Sequence, residues 1–505
     1  MTDRGRAFSV LTANTVAFTV CFAVWMLYGV LVTHLVDQRV YAFTPSEVGW
    51  LIGLPVLTGA LTRLPVGLLA DRFGGRPVIT LILLWVAGAT WLASYADSFW
   101  GFALGGLGFG VAGASFAAGV AYTSLWFPPH QQGTALGIFG IGNVGAAVTT
   151  LLAPHVLRAV TAGGLEPDRW RMLPRFYAAA VVLTAVVYWA ATFPRTPAEE
   201  TRRSLRARLA PLGTLRVWRF GLYYFLLFGG FVALAQWLVP YYVNVYLTSV
   251  VTAGMLASLF SLPAALFRFL GGWLSDRVGA RSVMYWVLGL GLVLLVLLFP
   301  PRVELQAPGS GVSARNAGVV IDVSPSVIVV GTDRYTLQHV DEYSGQIRFG
   351  IHRDDEHFLL LPTATFHQVP VVRVGEAVDT GQLLARGVTL IYFQANRGVF
   401  TTIVLLLGVV LGLGSGAVFK HIATYFPGRV GLVGGIVSML GAMGGFVFPI
   451  LFGSLLGVTG IWTTAWMLLA LVSLICLVWM HIVVRRMMAA AAPTLVRDVE
   501  ERVRA

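Results

Sequence analysis

The chain has 505 residues, of which 57% are hydrophobic and 11% charged, with a formal net charge of +12 at pH 7. Residues 220–267 and 430–480 contain no Asp, Glu, Lys or Arg, and apolar stretches of that length exclude a soluble protein with one core. The positive charge lies mostly in arginines of short loops, which is typical of a membrane protein and argues against nucleic-acid binding.

Apolar length predicts twelve membrane spans, and the first run is too long for a signal peptide. The predicted spans are 7–36, 47–70, 77–96, 98–127, 131–157, 176–194, 217–246, 251–275, 282–300, 398–425, 430–457 and 461–484. In this count the arginine-rich segments 71–76, 195–219 and 276–281 and the tail after residue 485 share one side. The positive-inside rule makes that side cytoplasmic, with both termini inside.

The chain contains an internal repeat. Arg63 to Arg76 recurs 205 residues later as Arg268 to Arg281, and Gly142 and Gly145 recur 299 residues later as Gly441 and Gly444. The repeat predicts two six-helix bundles. The larger second offset places about 94 extra residues in the second half.

The extra residues match the polar stretch 301–392, which holds ten acidic residues and falls between spans nine and ten. The alternating run 320–330 favours strands, so we expect an inserted, extracytoplasmic β-rich domain. Val372 to Ala385 resembles the hairpin of biotinyl- and lipoyl-type domains. That family attaches its cofactor to lysine, whereas the only lysine here is Lys420 inside a span. We therefore expect a structural or docking appendage and no cofactor.

Arg63 and Arg268 are charges inside predicted spans, which are costly and indicate function. Arg63 precedes Asp71 at the turn by eight residues, or roughly 12 Å along a helix, so it lies near the middle of a hydrocarbon core about 30 Å thick. The repeat places Arg268 at the same depth. No acidic residue in a predicted span neutralises either arginine, so the pair predicts one central anion site.

Gly67-x-x-x-Asp71-Arg72-x-Gly74-Gly75-Arg76 resembles the signature loop of the major facilitator superfamily. Within it, the chain resembles the nitrate/nitrite porter family through its mid-span arginines and three further stretches. These are Ala114 to Ala117, Gly137 to Gly145 followed by Pro154, and Gly441 to Pro449.

The resemblance implies an all-α membrane protein with the twelve-helix fold of that superfamily. The expected domains are 1–195 (first bundle), 196–216 (cytoplasmic basic linker), 217–300 and 393–486 (second bundle), 301–392 (insert) and 487–505 (cytoplasmic tail). It also implies a secondary transporter of nitrate, nitrite or both, in the cytoplasmic membrane, and no enzyme. We expect a monomer in the lipid bilayer, with no nucleic-acid partner and no metal.

In that family two arginines, an asparagine and aromatic rings hold the anion. Matched by motif, the substrate-binding residues are Arg63, Arg268, Asn143, Tyr224, Phe116 and Phe228. The signature loops also contain Gly67 and Gly74, and gating ion pairs are expected there among Asp71, Arg72, Arg76, Asp276, Arg277 and Arg281. Close helix packing is expected at Gly137, Gly142, Gly145, Gly441, Gly444 and Gly445.

Coupling stays open between nitrate/nitrite exchange and proton symport. The predicted spans offer no carboxylate, which favours exchange, but Lys420 and His421 in span ten are candidate proton carriers. Two other functions also fit the arginine pair. One is proton-coupled transport of organic anions; the other is an anion sensor on a transporter-like base, with 301–392 as its ligand-binding domain.

Overall fold

The computed structural model describes residues 3–196, 210–300, 302–338, 347–348, 363–392, 397–426 and 430–491. The chain forms two compact units, one comprising Met1–Leu297 with Ile403–Ala505 and the other Leu298–Thr402. Most of the predicted linker and all but the first residues of the predicted tail lie outside the described residues.

Twelve helices in the described residues are long and apolar enough to cross a membrane, which confirms the predicted number. Spans 1–12 are Asp3–Asp37, Pro45–Ala70, Gly75–Ala93, Phe99–Ser124, Thr134–Val160, Pro167–Ala191, Leu215–Tyr246, Val250–Val278, Ala280–Leu297, Arg397–Tyr425, Val433–Thr459 and Thr464–Met488. The predicted all-α fold with a β-rich insertion between spans 9 and 10 is also confirmed.

Local signals explain where the arginine-bearing helices begin and end. Thr44 caps span 2 in a capping box with Glu47, which satisfies exposed backbone N–H groups at the helix start. Gly74 follows that helix with φ of 84°, and its repeat partner Gly279 follows span 8 with φ of 87°. Residues with side chains rarely adopt this backbone conformation, so both signature turns require glycine.

Besides span 6, which begins with the 3₁₀ segment Pro167–Arg171, four described spans depart from regular α-helix, three of them beside the predicted site residues. Span 1 is broken at Met26, between helices Asp3–Trp25 and Leu27–Asp37. Spans 4 and 5 contain the 3₁₀ segments Gly110–Ala114 and Ile141–Val144, and span 7 contains the π-helical segment Phe225–Gly229. Such irregular turns re-aim side chains and are frequent at functional sites.

Equivalent glycines of the two halves pack against equivalent aromatic rings. A Cβ added to Gly142 in span 5 would lie 2.3 Å from the ring of Phe18 in span 1. A Cβ added to Gly441 in span 11 would lie 2.1 Å from the ring of Tyr224 in span 7. Phe18 and Tyr224 are 206 residues apart, so the duplication is preserved in the packing as well as in the sequence.

The two halves touch directly at the end of the bundle where span 2 begins. A Cβ on Gly49 of span 2 would lie 2.4 Å from the carbonyl oxygen of Pro449 in span 11. A Cβ on Gly254 of span 8 would lie 2.1 Å from the carbonyl oxygen of Thr150 in span 5. Only glycine allows these backbones so close, and the bundle is closed at this end.

The described residues of the Leu298–Thr402 unit form two four-stranded antiparallel sheets. The strands are β1 (Arg302–Ser313), β2 (Gly318–Val323), β3 (Val327–Val330), β4 (Asp333–Thr336), β5 (Ile347–Arg348), β6 (Thr363–Pro370), β7 (Ala377–Val378) and β8 (Leu383–Tyr392). Their orders are β1-β8-β6-β5 and β4-β3-β2-β7. Ile328 and Leu384 are fully buried in a core shared with Val320 and Val330, so this unit has a hydrophobic core of its own.

Candidate functional site

Two aromatic rings bring the mid-span arginines to one place. The guanidinium carbon of Arg63 lies 5.3 Å from the ring centre of Phe116 and 5.5 Å from that of Phe228. The guanidinium carbon of Arg268 lies 5.8 Å and 5.5 Å from the same two rings. Each half of the bundle contributes one arginine and one ring. Four residues that lie far apart in the sequence therefore form one central cluster.

Backbone carbonyls orient Arg63. Its Nε donates a hydrogen bond of 3.3 Å to the carbonyl oxygen of Gly113 in the 3₁₀ segment of span 4. Its Nη1 donates a bond of 2.6 Å to the carbonyl oxygen of Ser438 in span 11. The side chain is buried, and its Nη2 makes no hydrogen bond within the described residues. Nε and Nη1 are thus engaged, and Nη2, with its two hydrogens, is open to a ligand.

Arg268 is half-buried and donates from Nη2 to the hydroxyl of Tyr224. Tyr224 in turn stacks on Phe228, with ring centres 5.1 Å apart and planes 5° from parallel. The π-helical segment begins directly after Tyr224 and includes Phe228. Gly441 leaves room for the Tyr224 ring, which explains why this part of span 11 is glycine-rich.

The two arginines carry positive charge without a carboxylate partner. None of the described ion pairs involves Arg63 or Arg268. Cation–π contacts supply each guanidinium with about 0.5–2 kcal/mol per ring, which does not offset the cost of burying two like charges. A cluster of unpaired positive charge of this kind attracts anions electrostatically.

Sequence reasoning missed two rings and two backbone acceptors. The ring of Trp25 lies 5.8 Å from the Arg63 guanidinium, and the ring of Phe419 lies 5.5 Å from that of Arg268. The break of span 1 beside Trp25 becomes visible only in the structure, and Phe419 had no signal beyond its place next to Lys420. The acceptors are the backbone carbonyl oxygens of Gly113 and Ser438, and the residue type at these positions does not indicate that role.

Asn143 is buried in the 3₁₀ segment of span 5. Its Nδ2 donates a 2.8 Å hydrogen bond to the carbonyl oxygen of Gly140 in its own helix, and its Oδ1 has no partner within the described residues. An amide nitrogen carries two hydrogens, so one remains for a ligand. The sequence-predicted role for Asn143 thus rests on that second hydrogen.

Lys420 lies in an ion pair and not as a third cation at the site. The helix of span 8 continues past its predicted end at residue 275 and includes Asp276, whose Oδ1 lies 2.5 Å from Nζ of Lys420. The Lys420 side chain is 42% exposed. The expectation of spans without carboxylates therefore does not hold at the span ends: Asp276 lies in the last turn of span 8, and Asp3, Asp37, Glu47 and Asp168 lie in terminal turns of spans 1, 2 and 6. The neighbouring His421 is buried between Phe220 and Tyr425, at centroid distances of 5.6 and 5.9 Å.

In the signature loops, arginine contacts aromatic rings and oxygen acceptors. Arg76 donates to the carbonyl oxygen of Trp189 at 2.7 Å, and its guanidinium carbon lies 4.0 Å from that ring centre. Arg72 lies over Phe73 and Arg277 over Trp273, at 5.3 and 4.2 Å. Arg281 donates to the hydroxyl of Tyr425. The side chain of Asp71 lies outside the described residues, and Asp276 with Lys420 is the described ion pair of these loops.

The remaining signature glycines differ in what surrounds them. A Cβ added to Gly145 would lie 2.2 Å from the carbonyl oxygen of Thr19. A Cβ added to Gly444 would lie 2.3 Å from the carbonyl oxygen of Phe225. A Cβ added to Gly137 would lie 3.3 Å from the ring of Phe269, and a Cβ added to Gly445 would lie 2.5 Å from the side chain of Val232. Gly67, by contrast, has nothing within 4 Å. The glycines of spans 5 and 11 thus lie mainly at helix contacts.

Twelve spanning helices in two related halves, with a cationic cluster between them, define a membrane transporter and not an enzyme. The sequence pattern of the Major Facilitator Superfamily matches residues 14–345. Two solved structures show the same fold at low identity. A bacterial homologue of the human lysosomal transporter Spinster, inward-facing and occupied, has a TM-score of 0.63 at 14% identity over 94% of this chain and 96% of that chain. The nucleoside transporter NupG has a TM-score of 0.55 at 11% identity, over 94% and 98%.

Relatives of similar sequence refine the class. A probable nitrate/nitrite antiporter NarK1 of Thermus thermophilus is 36% identical over 99% of this chain and 96% of its own length. A nitrite extrusion protein of Bacillus subtilis is 24% identical over 93% and 94%. The nitrate/nitrite transporter NarU of Salmonella typhimurium is 31% identical over 59% and 65%. The chain belongs to the nitrate/nitrite porter family of the Major Facilitator Superfamily, as its motifs predicted.

Proposed function

We propose that this protein moves nitrate, nitrite or both across the cytoplasmic membrane by alternating access. The observation that carries the proposal is the pair of guanidiniums, Arg63 and Arg268, which share Phe116 and Phe228 and have no carboxylate partner among the described residues. The names of the relatives supply the substrate class, since several are nitrate or nitrite transporters.

The chemistry of the cluster suits a flat, weakly hydrated anion. Nitrate and nitrite present oxygen lone pairs in one plane, and a planar guanidinium fork donates two parallel hydrogen bonds in one plane. The parallel rings of Tyr224 and Phe228 line the C-terminal side of the cluster. Flat rings leave room for a planar ion and little for tetrahedral sulfate or phosphate. In this proposal Tyr224 and Asn143 orient the ion as neutral donors.

Alternating access requires the seam between the halves to open. The seam is closed where Gly49 meets Pro449 and Gly254 meets Thr150. An added Cβ at Gly67 or its repeat partner Gly272, toward the opposite end, would have nothing within 4 Å. We infer that the second state separates the glycine contacts and exposes the cluster to the other side.

Exchange fits the site better than proton symport. No carboxylate forms an ion pair with either arginine in the described residues, and Lys420 is held by Asp276 at the end of the bundle. Without a bound anion the cluster keeps two unpaired positive charges, which disfavour rearrangement within the membrane. A carrier that changes state only when loaded is an exchanger. Lys420 and His421 stay the candidate proton carriers if the protein is a symporter.

Loop arginines orient the chain in this proposal. The turns that follow spans 2 and 8 and the linker before span 7 carry most of them, so this side is cytoplasmic and both termini are inside. The insert then lies outside the cytoplasm. We propose that the transporter works as a monomer, because the repeated halves already supply both arginines of one site.

Counterflow in proteoliposomes tests the proposal. Vesicles loaded with unlabelled nitrite should accumulate external labelled nitrate transiently, and empty vesicles should accumulate far less. Organic monocarboxylates of similar charge should neither compete nor exchange. A protein that binds nitrate but shows no flux in either direction would be a sensor, and preferential flux of an organic anion would reassign the substrate.

A further inference from the structure

A second group of arginines lies at the end of the bundle where the linker between the halves enters span 7. It consists of Arg216 and Arg219 near the start of span 7 and Arg281 at the start of span 9, and is called here the peripheral arginine cluster. Arg281 also belongs to the predicted signature loop, whereas Arg216 and Arg219 have no role in the proposed transport cycle.

The peripheral arginine cluster is organised around Tyr425 at the end of span 10. Arg281 donates to the Tyr425 hydroxyl from Nη2 at 2.6 Å and from Nε at 3.1 Å. The guanidinium carbon of Arg216 lies 5.4 Å from the Tyr425 ring centre. Arg219 lies 5.3 Å above the ring of Phe220, which packs 5.8 Å from Tyr425. The side chains of Tyr425 and Phe220 thus contact all three guanidiniums, which lie close to one another.

The peripheral arginine cluster is not neutralised within the described residues. None of its arginines belongs to a described ion pair. Arg219 is 8% exposed, its Nε has no hydrogen-bond partner, and it interacts electrostatically with both Arg216 and Arg281. Like charges held this close are unfavourable unless an anion compensates them. The Tyr425 hydroxyl accepts hydrogen bonds but supplies no negative charge.

The surroundings place the peripheral arginine cluster at the edge of the membrane. Span 9, which begins beside Arg281, exposes an apolar stripe: Trp286, Leu290, Val293 and Leu297 are 77%, 48%, 55% and 54% exposed. Such a stripe on a spanning helix faces lipid chains. Trp218, next to Arg219, is also exposed, and tryptophan is enriched at the membrane–water interface. The three charges therefore lie at headgroup depth.

We propose that the peripheral arginine cluster binds the phosphate of an anionic phospholipid headgroup. The exposed guanidinium of Arg216 and the Nη1 group of Arg281 match phosphate oxygens. The half-buried hydroxyl of Tyr425 would donate to the same group in place of its 4.0 Å contact with Sδ of Met487. The buried charge of Arg219 adds attraction that water screens little. One acyl chain would then lie along the exposed stripe of span 9.

Native mass spectrometry of the full-length protein in neutral detergent tests the proposal. Titration with dioleoyl phosphatidylglycerol should show one lipid bound well before further, weaker ones, whereas dioleoyl phosphatidylcholine should bind weakly. Arg216→Gln/Arg219→Gln should weaken the first phosphatidylglycerol at least about tenfold. The double variant Arg158→Gln/Arg175→Gln is the control. It removes the same amount of charge where span 5 ends and span 6 begins, at the end of the bundle opposite to the cluster, and should leave this binding unchanged.

Arg216→Gln alone changes an exposed side chain, so it should fold normally and show part of the loss. Equal binding of both lipids, or equal loss in the control variant, would overturn the proposal. Strong stabilisation of the folded protein by inorganic phosphate, with no preference for phosphatidylglycerol, would also overturn the proposal. The cluster would then bind a soluble anion. Nitrate counterflow is a separate readout, so failure here leaves the proposed transport function untouched.

Discussion

Arg63 joins the two halves of the transporter through a 2.6 Å hydrogen bond from its Nη1 to the carbonyl oxygen of Ser438. A second bond, from Nε to the carbonyl oxygen of Gly113, ties the same side chain to its own half. The guanidinium of Arg63 therefore links span 4 to span 11, and its hydrogen bonds depend on the relative position of these two spans. An anion bound at its Nη2 would change the strength of that bridge, so substrate binding and movement of the halves share one group.

We expect Arg63→Lys to lower nitrate counterflow at least about tenfold, because an ammonium cannot make both carbonyl bonds and also offer a planar fork. Arg268→Lys should show a similar loss, since it removes the bond to Tyr224. Arg158→Lys, at an exposed position outside the site, is the matched control. Normal counterflow in either site variant would disprove a bidentate arginine site.

Gly441→Ala should lower the free energy of unfolding by about 1–3 kcal/mol, because the new methyl group would lie 2.1 Å from the Tyr224 ring. Displacement of Tyr224 should also weaken nitrate binding. Gly435→Ala lies on the same helix with nothing within 4 Å, so it should change stability by no more than about 1 kcal/mol. Scanning fluorimetry with and without nitrate measures both effects. Equal behaviour of the two variants would contradict the packing role of Gly441.

Gln236→Leu should stabilise the closed state. Gln236 is fully buried in span 7, both its amide atoms lack partners in the described residues, and its Cβ would lie 2.7 Å from a Cβ added to Gly29 across the seam. Each unsatisfied buried group costs about 1–3 kcal/mol, so an apolar side chain of similar size should raise the melting temperature. The same change should slow exchange, because opening the seam would no longer hydrate a buried amide.

Gln132→Leu provides the contrast. The Nε2 of Gln132 donates to the carbonyl oxygens of Ser124 and Phe127 at 2.9 and 3.1 Å. Loss of these bonds should lower the melting temperature. If Gln236→Leu lowers it as well, the Gln236 amide has partners in the membrane, and the seam is not strained there.

Exchange predicts that internal nitrite accelerates nitrate entry at equal pH, and that an imposed pH gradient alone drives little uptake. Lys420→Gln should spare this exchange, because Lys420 is paired with Asp276 at the end of the bundle and makes no described contact with either site arginine. Uptake driven by the pH gradient without internal anion, and abolished in Lys420→Gln, would establish symport through that residue.

Replacement of 301–392 by a short flexible linker from residue 300 to residue 393 should preserve counterflow. Both site arginines and all five described rings around them belong to the unit of spans, and the insert has its own buried core. The deletion protein must insert correctly and be monodisperse for the comparison. Loss of flux in such a protein would make the insert part of the transport cycle.

Apolar length and duplication within the sequence predicted the twelve spans, the two halves, the insert and the two mid-span arginines. These features are local or repeated along the chain, so they can be predicted without knowledge of how the helices pack. The motifs also predicted the family. The roles of Arg63, Arg268, Asn143, Tyr224, Phe116 and Phe228 stay predictions that the experiments above test.

Only the tertiary structure decided which groups meet. The carbonyl of Ser438 carries no sequence signal, and Phe419 becomes part of the site through the rotation of span 10 about its axis. The pairing of Lys420 with Asp276 depends on where span 8 ends. Arg216 and Arg281 converge on Tyr425 because three spans end together. Such contacts follow from helix rotation and register, which the hydrophobic pattern of a spanning helix leaves nearly free, because lipid favours every apolar face alike.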